Sequence, residues 1–598
     1  MPVLEGVTGA VPAVDANLTC GSGSHGGAKY VRVPSETYLR GVDLGRSTKE
    51  GPVVGTRIST SDLTWLLMDS PSNLMHVHGL VTFGEMPDWE QVNSAVFERL
   101  VTRYRVLTQH PVHKGPVGIG HWEWEDDTDF DLRRHLRRIE LADSSPETLH
   151  AHLSSYFSVP FDRDHPLWEM QLLTGPADDP DAPAYLFSRF HHALGDGIRL
   201  VQLIIGLCDP VDGAIPQVVG RRGEHHSTLE TAVIAGHQAV ADTVDYVKHA
   251  LDAASGLGGK LVATLNPLNL PHTLESVVDL VRHPVKITDA LTSVASDNNE
   301  WTNSVREVSR VLLTERAETG LWHGHASGDK AIDWLSDISF DDVRAVARHY
   351  DGTINDTLMS VVSLALTAYL VERGIREVHD LGWLMPVSLQ PVDPGLPATL
   401  GNYFSVVLFS MPLGIEDPGD LIAETHRRTE RIKHSIEPVV TFGVQRAIAE
   451  SPGPVAKAAT GFFAGKTIGQ LTNVPGPRTQ MALVGAPVRS MLGWVPMQGD
   501  QPLGVCLFSY NGTINIGVAA DTALIPDVGR LTSLLRTHID DLVATVEAEI
   551  AAEGEDDPGP EGKDSEGANV DIETMDTAYA LSIDPQTETA DPADPEPR

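Results

Sequence analysis

Residues 184–207 place two adjacent histidines between a strand and a helix, and this succession constrains the fold more than any other part of the chain. The aromatic and apolar segment 184–190 predicts a strand, and the apolar segment 198–207 predicts the beginning of a helix. His191 and His192 therefore lie where a strand ends and a tight loop begins, a common position for functional residues. Because successive side chains of a strand point to opposite faces, only one of the two histidines can face a pocket if the strand reaches residue 192.

The loop after the histidines ends in Asp196-Gly197. Aspartate is a frequent turn residue, and glycine can adopt a positive φ, so this dipeptide predicts a turn before the helix. An imidazole in such a loop is a candidate general base, because its unperturbed pKa lies near 6.5. A second pair, His225-His226, is not followed by Asp-Gly and is interpreted as part of a solvated loop.

Composition excludes several classes of function. The formal net charge of −38 argues against a nucleic-acid partner, which requires basic surface, and against a purely electrostatic hold on anionic lipid. The three cysteines, Cys20, Cys208 and Cys506, lie far apart without the spacing of a metal site. They indicate a reducing compartment without disulfides. We expect no metal.

Targeting signals are not evident in the sequence. The first residues have neither a basic start nor a long apolar run, and no uninterrupted apolar stretch of about 18 residues occurs. We therefore predict a cytoplasmic protein without a membrane-spanning helix. Any contact with the inner membrane or with lipid droplets would be peripheral and apolar.

The length of 598 residues and a hydrophobic content of 41% accommodate two or more domains with sizeable cores. Strands and helices in both halves predict layers of α/β or α+β type. A helix beginning near Ser61 or Asp62 opens the first half, and Asn511-Gly512 predicts a hairpin in the second. The predicted divisions are a flexible N-terminal lead (1–55), an N-terminal domain (56–208), a helical crossover (209–330), a C-terminal domain (331–550) and an acidic disordered tail (551–598).

Further motifs lie before and after the two histidines in a defined order, and together they resemble one family. Pro166-Leu167-Trp168, Asn355-Asp356 and Asn473-Val-Pro-Gly-Pro477 are the most informative of these, and shorter blocks occur at Pro386-Val-Ser-Leu389 and Gly401-Asn402. With His191-His192 and Asp196-Gly197 they resemble the wax ester synthase/acyl-CoA:diacylglycerol acyltransferase family. That family belongs to the CoA-dependent acyltransferases with an HHxxxDG motif.

The resemblance implies two chloramphenicol-acetyltransferase-like domains joined by the crossover, with the active site in a channel between them. It implies an O-acyltransferase that moves a long acyl chain from acyl-CoA to the hydroxyl of diacylglycerol or of a long-chain alcohol. The base would be His192, no covalent acyl-enzyme would form, and no cofactor would be needed beyond acyl-CoA as substrate. The candidate residues are His192, Asp196 and His191 for catalysis, Gly197, Asn473, Pro475 and Gly476 for support of the loops, and Asn355, Asp356 and Trp168 for substrate or the oxyanion.

Each candidate other than His192 also has a structural interpretation. Trp168 is a large apolar residue of the kind found in cores, and Asn355 could cap a helix that begins at Asp356. The two prolines and the glycine of residues 473–477 would form a rigid loop. In this superfamily the residue that matches Asp196 looks mainly structural, and we favour that role for it here.

One position departs from the family pattern, since Gln390 follows the Pro-Val-Ser-Leu block where arginine is frequent. Two other functions therefore stay open. One is acyl transfer to a polyketide- or peptide-type acceptor, and the other is non-catalytic binding of lipid on storage droplets. The sequence does not rank diacylglycerol against fatty alcohol and does not give the oligomeric state.

Overall fold

Two mixed β-sheets with helices packed on them form most of the described chain. The computed structural model describes residues 55–115, 121–176, 179, 182–211, 322, 324–388, 399–402, 404–433, 461 and 464–556. The predicted lead, most of the crossover, the tail beyond residue 556, Gln390 and the pair His225-His226 lie outside these residues.

The N-terminal half carries strands and helices in alternation. Its strands are β1 (Thr56–Arg57), β2 (His76–Phe83), β3 (Gln109–Lys114), β4 (His121–Asp126), β5 (Leu136–Glu140), β6 (Trp168–Thr174), β7 (Ala184–His191) and β8 (Asp209–Pro210). Its α-helices are α1 (Thr60–Met68), α2 (Trp89–Val96), α3 (Leu132–His135), α4 (Pro146–Tyr156) and α5 (Gly197–Leu207).

The C-terminal half repeats this mixture with longer helices. Its strands are β9 (Lys330–Ser339), β10 (Leu381–Ser388), β11 (Phe404–Met411), β12 (Gly469–Pro475), β13 (Met481–Leu483), β14 (Ala486–Trp494), β15 (Leu503–Tyr510) and β16 (Thr513–Asp521). Its helices are α6 (Phe340–His349), α7 (Ile354–Glu372), α8 (Pro418–Lys433) and α9 (Val528–Asp556).

The strands form a seven-stranded sheet in the order β5-β6-β7-β2-β14-β13-β8 and a six-stranded sheet in the order β11-β10-β12-β15-β16-β9. A small sheet, β1-β4-β3, lies beside them. Strands β13 and β14 come from the C-terminal half of the chain, yet they complete the sheet of the N-terminal half. The two halves are therefore interlocked through this sheet, and the domain boundaries drawn from the sequence stay a prediction.

The two sheets meet through apolar packing and one close backbone approach. Leu80, Phe157 and Phe187 of the N-terminal half share a buried cluster with Ile332 and Trp494. Beside it, β14 crosses β16 so closely that a Cβ atom on Gly517 would overlap the carbonyl oxygen of Gly493. Only glycine permits this approach, which brings the two sheets together.

Several predicted elements are confirmed. The two strands around Asn511-Gly512 pair as an antiparallel hairpin, and both turn residues have positive φ (45° and 80°), as the short turn requires. Helix α7 is long and apolar enough to cross a membrane by length and composition. Two thirds of it (67%) is buried, and it packs among α6, α8 and α9 as a core helix.

The beginning of the first helix differs from the prediction. Neither Ser61 nor Asp62 is the N-cap of α1, because the helix begins at Thr60 and Ser59 precedes it in an extended conformation. The Ser59 hydroxyl accepts a hydrogen bond from the Asp62 N–H (3.1 Å) and donates one to Asp62 Oδ2 (2.6 Å). Asp62 therefore lies in the first helical turn, where its other carboxylate oxygen is available for a second contact.

Candidate active site

The two adjacent histidines diverge at the end of β7. His191 is the last residue of the strand and lies opposite His76 of β2, whereas His192 begins a short 3₁₀ turn that ends at Leu194. The ring of His191 approaches that of His76, with centroids 5.6 Å apart. The ring of His192 stacks on Trp65 of α1, with centroids 3.8 Å apart. The two imidazoles thus enter different surroundings, as the alternation of a strand requires.

Both ring nitrogens of His191 form hydrogen bonds within the protein. Nδ1 accepts from the backbone N–H of Ala193 (3.0 Å), so the proton resides on Nε2, which donates to Asp69 Oδ2 (3.0 Å). The same carboxylate accepts from the N–H of Met75 (2.6 Å) and from the Arg163 guanidinium (3.1 Å). His191 therefore holds the loop in place and has no free nitrogen for a substrate proton.

His192 is held by Asn402, a residue from the other half of the chain. Nδ1 of the imidazole lies 2.9 Å from Asn402 Oδ1. Nδ2 of the same amide donates to the backbone oxygen of His192 (2.9 Å) and to Asp62 Oδ1 (2.7 Å). These two acceptors orient the amide so that its oxygen faces the imidazole. Nδ1 must then carry the proton, and Nε2 keeps its lone pair.

Burial sets the basicity of His192. Removal from water lowers the pKa of His192 to about 4, although hydrogen bonds from the ring to its own backbone carbonyl and to Asn402 partly oppose this effect. At neutral pH the imidazole is therefore uncharged. The residue retains 7% of its exposure, and the rings of Trp65 and Phe404 lie against it. A neutral base among aromatic rings suits a reaction on an apolar substrate.

Asp196 anchors the loop and does not contact the imidazole through its described bonds. Its carboxylate caps α5 by accepting from the backbone N–H of Arg199 (3.0 Å). Its own N–H donates to the carbonyl of Gly401 (3.2 Å), the residue before Asn402. Gly401 has a φ of 141°, a conformation that favours glycine. The loop carrying His192 and the loop carrying Asn402 are thus joined by their backbones.

Gly197 could adopt a positive φ but does not use this freedom. It is the first residue of α5 with helical geometry, because Asp196 already provides the cap. A Cβ atom at this position would meet nothing within 4 Å among the described residues. This helical position therefore has room for a side chain, and the turn does not require glycine here.

Trp168 belongs to the core. It is 1% exposed, its indole N–H donates to the carbonyl of Leu107 (2.8 Å), and its ring stacks between His135 and Phe190. This arrangement satisfies the polar atom and buries the rest of the side chain. The geometry supports the packing interpretation for Trp168 and leaves it no free polar group for a substrate.

Asn355 and Asp356 begin α7, but neither is its N-cap. Thr353 caps the helix, and Asp356 completes a capping box with it. The carboxylate of Asp356 is fully buried and also accepts from Nδ1 of His426 and from Thr429 Oγ1, both at 2.7 Å. Both of its oxygens are therefore occupied in joining α7 to α8. This assigns Asp356 a structural role in place of a contact with substrate.

Asn355 lies against the strand that carries the Asn-Val-Pro-Gly-Pro motif. Its Oδ1 accepts from Nδ2 of Asn473 (3.1 Å), and its Nδ2 lies 3.2 Å from the sulfur of Met359. A thioether is a weak acceptor, so this N–H can be redirected to a stronger one. Asn355 and Asn473 are thus brought together, whereas the described hydrogen bonds of His192 involve neither.

Pro475 is the last residue of β12, and Gly476 follows it in contact with β15. The N–H of Gly476 donates to the carbonyl of Ser509 (2.9 Å), and a Cβ atom on Gly476 would overlap that carbonyl and the ring of Phe508. Glycine is required here because of the close approach of two backbones. These contacts hold the segment against β15, and the shaping role expected of it stays a prediction.

Three side chains that could ligate a metal lie beside the site, and two of them, Asp69 and His191, are hydrogen-bonded to each other. One ligand atom each of Asp69, His76 and His191 lies within 4.8 Å of the others. The Arg163 guanidinium lies 3.1 Å from Asp69 Oδ2, and its charge opposes a second cation there. The expectation of no metal remains a prediction.

Sequence reasoning missed the residues that hold His192. Asn402 was recognised only as part of a short block, and Asp62 only as a possible helix cap. Trp65, which stacks on the imidazole, lies one helical turn after Asp62 and carried no signal beyond its size. The Gly401-Asn402 dipeptide was the available clue, because glycine allows a positive φ and a close approach of two backbones.

Comparison with known proteins identifies family models and relatives to which this chain is similar. Residues 58–358 match the family model described as "Wax ester synthase/diacylglycerol acyltransferase catalytic domain", and residues 400–542 match the model described as "WS/DGAT C-terminal domain". The chain is 24% identical over 469 residues to a Mycobacterium tuberculosis protein named "Probable diacyglycerol O-acyltransferase tgs1". That alignment covers 77% of this chain and 89% of the relative.

A solved structure shares the fold. The wax ester synthase/diacylglycerol acyltransferase from Marinobacter aquaeolei VT8 superposes with a TM-score of 0.52 at 18% identity. The match covers 82% of this chain and 100% of the other. This likeness confirms the α/β architecture of two acyltransferase-like halves that the sequence predicted.

Proposed function

The chain belongs to the wax ester synthase/diacylglycerol acyltransferase family, and we propose that His192 Nε2 is the base of its acyl transfer from acyl-CoA to a lipid hydroxyl. The observation that carries this proposal is the hydrogen bond between His192 Nδ1 and Asn402 Oδ1, which leaves the lone pair on Nε2. An alcohol is a poor nucleophile at neutral pH, and general-base assistance contributes about 10²–10⁴-fold to such reactions.

The reaction proceeds in two steps, attack on the thioester and departure of CoA. The acceptor oxygen attacks the thioester carbon as its proton moves to Nε2 of His192, which forms a tetrahedral intermediate. The carbon–sulfur bond then breaks, and the proton on Nε2 passes to the sulfur, so that free CoA and an ester leave. The lone pair of one imidazole serves both steps, and the reaction requires neither a covalent acyl-enzyme nor a resident cofactor.

The oxyanion of the intermediate requires a hydrogen-bond donor. Asn355 is our candidate, since its Nδ2 is engaged only by a thioether in the described structure and its Oδ1 is fixed by Asn473. The backbone N–H groups near the turn after His192 are partly used, because that of Gly195 donates to the His192 carbonyl (3.3 Å). Asn355 thus offers the more readily redirected donor.

The proposal also concerns which lipid accepts the acyl group and where in the cell the protein works. Diacylglycerol and long-chain alcohols both present a hydroxyl on an apolar body, and each buried CH₂ contributes about 0.8 kcal/mol. We propose that the enzyme works in the cytoplasm and meets its lipid by peripheral contact with the inner membrane or with droplets. The burial of Cys208 and Cys506 as free thiols, which raises the pKa of each to about 12, is consistent with a reducing compartment.

The experiment supplies palmitoyl-CoA with diacylglycerol or, separately, with hexadecanol, and measures release of free CoA and formation of ester. We expect release that depends on the acceptor and a loss of about 10²-fold or more in His192→Ala. The matched control is His152→Ala, which removes another buried imidazole that binds Gln171 through Nε2 (2.8 Å). Equal lipid binding by wild type and His192→Ala without turnover would instead indicate a non-catalytic lipid-binding protein. Turnover only with carrier-bound acyl groups would indicate a polyketide- or peptide-type reaction.

A further inference from the structure

A carboxylate, a carboxamide and an imidazole form a continuous chain of hydrogen bonds at the candidate base. Asp62 Oδ1 accepts from Nδ2 of Asn402 at 2.7 Å and from the backbone N–H of Asn402 at 3.1 Å. Asn402 Oδ1 in turn faces Nδ1 of His192 at 2.9 Å. His192 and Asn402 are buried and Asp62 is half-buried, so the bonds at the imidazole form in surroundings of low dielectric. We call this chain the Asp62–Asn402–His192 relay.

The three residues of the relay come from three separate parts of the fold. Asp62 lies in the first turn of α1, His192 follows β7, and Asn402 precedes β11 in the C-terminal half. The backbone bond between Asp196 N–H and the Gly401 carbonyl joins the same two loops a second time (3.2 Å). The relay therefore exists only when both halves of the chain are assembled.

We infer that Asn402 and Asp62 are positioning residues of the acyl-transfer reaction, which fix the tautomer and the rotation of His192. The inference rests on the proposed function. A neutral imidazole has two tautomers, and only the form with its proton on Nδ1 presents a lone pair at Nε2. Asn402 favours that form because its oxygen can only accept, and the backbone carbonyl of His192 acts in the same direction. Asp62 fixes the direction of the amide, since its carboxylate can only accept from Nδ2.

A carboxamide in contact with the imidazole has a different effect from a carboxylate. The neutral amide orients His192 and stabilises the imidazolium less than burial destabilises it, so the base stays uncharged down to acidic pH. The negative charge of the relay lies one residue further away, on Asp62. The other titratable groups near the relay among the described residues are Asp196 at the cap of α5 and His191 at the end of β7. Moving the charge next to the ring should therefore change the pH dependence without breaking the chain of bonds.

The test compares four proteins: wild type, Asn402→Ala, the double variant Asp62→Asn with Asn402→Asp, and Asn515→Ala as a control. The double variant keeps a donor–acceptor pair between positions 62 and 402 but places the carboxylate against Nδ1. Asn515 is a fully buried asparagine whose amide donates to the Met491 carbonyl (2.9 Å), so its removal reports the general cost of losing such a group. The readouts are kcat, KM for palmitoyl-CoA and the acidic limb of the pH–rate profile.

For Asn402→Ala we expect kcat to fall by about 10-fold or more, up to the general-base contribution of about 10²–10⁴-fold, with little change in KM. For the double variant we expect the acidic limb to move up by about 1–3 pH units, as an adjacent opposite charge does. Asn515→Ala should lower stability and leave kcat and the acidic limb unchanged. A folded Asn402→Ala with wild-type kcat, or a double variant with the wild-type acidic limb, would overturn the inference.

A readout independent of turnover separates this inference from the proposed function. In ¹⁵N-histidine spectra, the signals absent from His192→Ala identify His192, and their shifts report which ring nitrogen is protonated. We expect the proton on Nδ1 in the wild type and a mixture of tautomers in Asn402→Ala. Unchanged spectra in Asn402→Ala would refute the relay even if acyl transfer is observed. An absence of acyl transfer with the expected spectra would refute the function and leave the relay intact.

Discussion

Asn402 contacts His192 at two points, although 210 residues separate them along the chain. The amide oxygen meets Nδ1 of the ring at 2.9 Å, and the amide nitrogen donates to the backbone carbonyl of the same residue at 2.9 Å. A two-point contact fixes the ring relative to its own backbone, which a single hydrogen bond cannot do. The candidate base is thereby oriented by the C-terminal half of the chain.

The pH–rate profile should have an unusually acidic limb. Because burial lowers the pKa of His192 to about 4, the base is already deprotonated at pH values where an exposed imidazole would be charged. We expect kcat/KM, which reports the free enzyme, to be nearly constant from about pH 5.5 to neutrality. It should fall below about pH 5. A limb centred near pH 6.5 would mean that His192 is solvated in the working enzyme or is not the base.

His191 should matter for stability more than for chemistry. In His191→Ala, Asp69 loses one donor and the N–H of Ala193 loses its acceptor, both in buried surroundings. We expect the free energy of unfolding to fall by about 2–4 kcal/mol. The acidic limb of the remaining activity should stay where it is in the wild type, and denaturant titration combined with the CoA-release assay measures both. A stable His191→Ala without activity would instead assign the chemistry to His191.

Acid should destabilise the protein before its carboxylates are protonated. His76 and His78 are buried with both ring nitrogens lacking partners among the described residues, and burial holds the pKa of each well below 6.5. The unfolded chain binds these protons below about pH 6.5 and the folded chain does not, so stability falls as the pH decreases. Each such histidine contributes up to about 1.4 kcal/mol per pH unit between pH 6.5 and 5.

The variant His78→Phe tests this assignment. The imidazole stacks on Phe157 at 3.8 Å and on Phe187 at 5.9 Å, so a phenyl ring suits the same surroundings. Chemical denaturation at a series of pH values should show a shallower slope in His78→Phe, reduced by about one proton. A slope equal to that of the wild type would show that His78 is solvated or already charged in the folded protein.

Two motif glycines should respond oppositely to the same substitution. Gly476→Ala forces a Cβ atom into the Ser509 carbonyl, and we expect a destabilisation of about 2 kcal/mol or more. Gly197→Ala adds a methyl group at a helical position where no described atom lies within 4 Å. Its stability should be unchanged or higher by up to about 1 kcal/mol. Thermal unfolding measures both, and a strong loss in Gly197→Ala would mean that this space is filled in the folded protein.

The sequence by itself determined those features that depend on local patterns. The run from Ala184 to Leu207 encodes strand, turn and helix through its apolar periodicity, and Asn511-Gly512 encodes the hairpin through its tolerance of positive φ. The order of the short motifs identified the family, which the comparisons confirm. The sequence did not fix the conformation of Gly197, which is helical because Asp196 both ends the turn and caps the helix.

Only the tertiary structure decided how the base is held and which candidates are structural. Ser59, and not Asp62, is the cap of α1, so one carboxylate oxygen of Asp62 can bind Asn402. No periodicity relates Asp62, His192 and Asn402, because their proximity depends on the folding of two halves against each other. Local propensity extends over one or two turns of chain, whereas the protonation of an imidazole depends on every group that surrounds it in space.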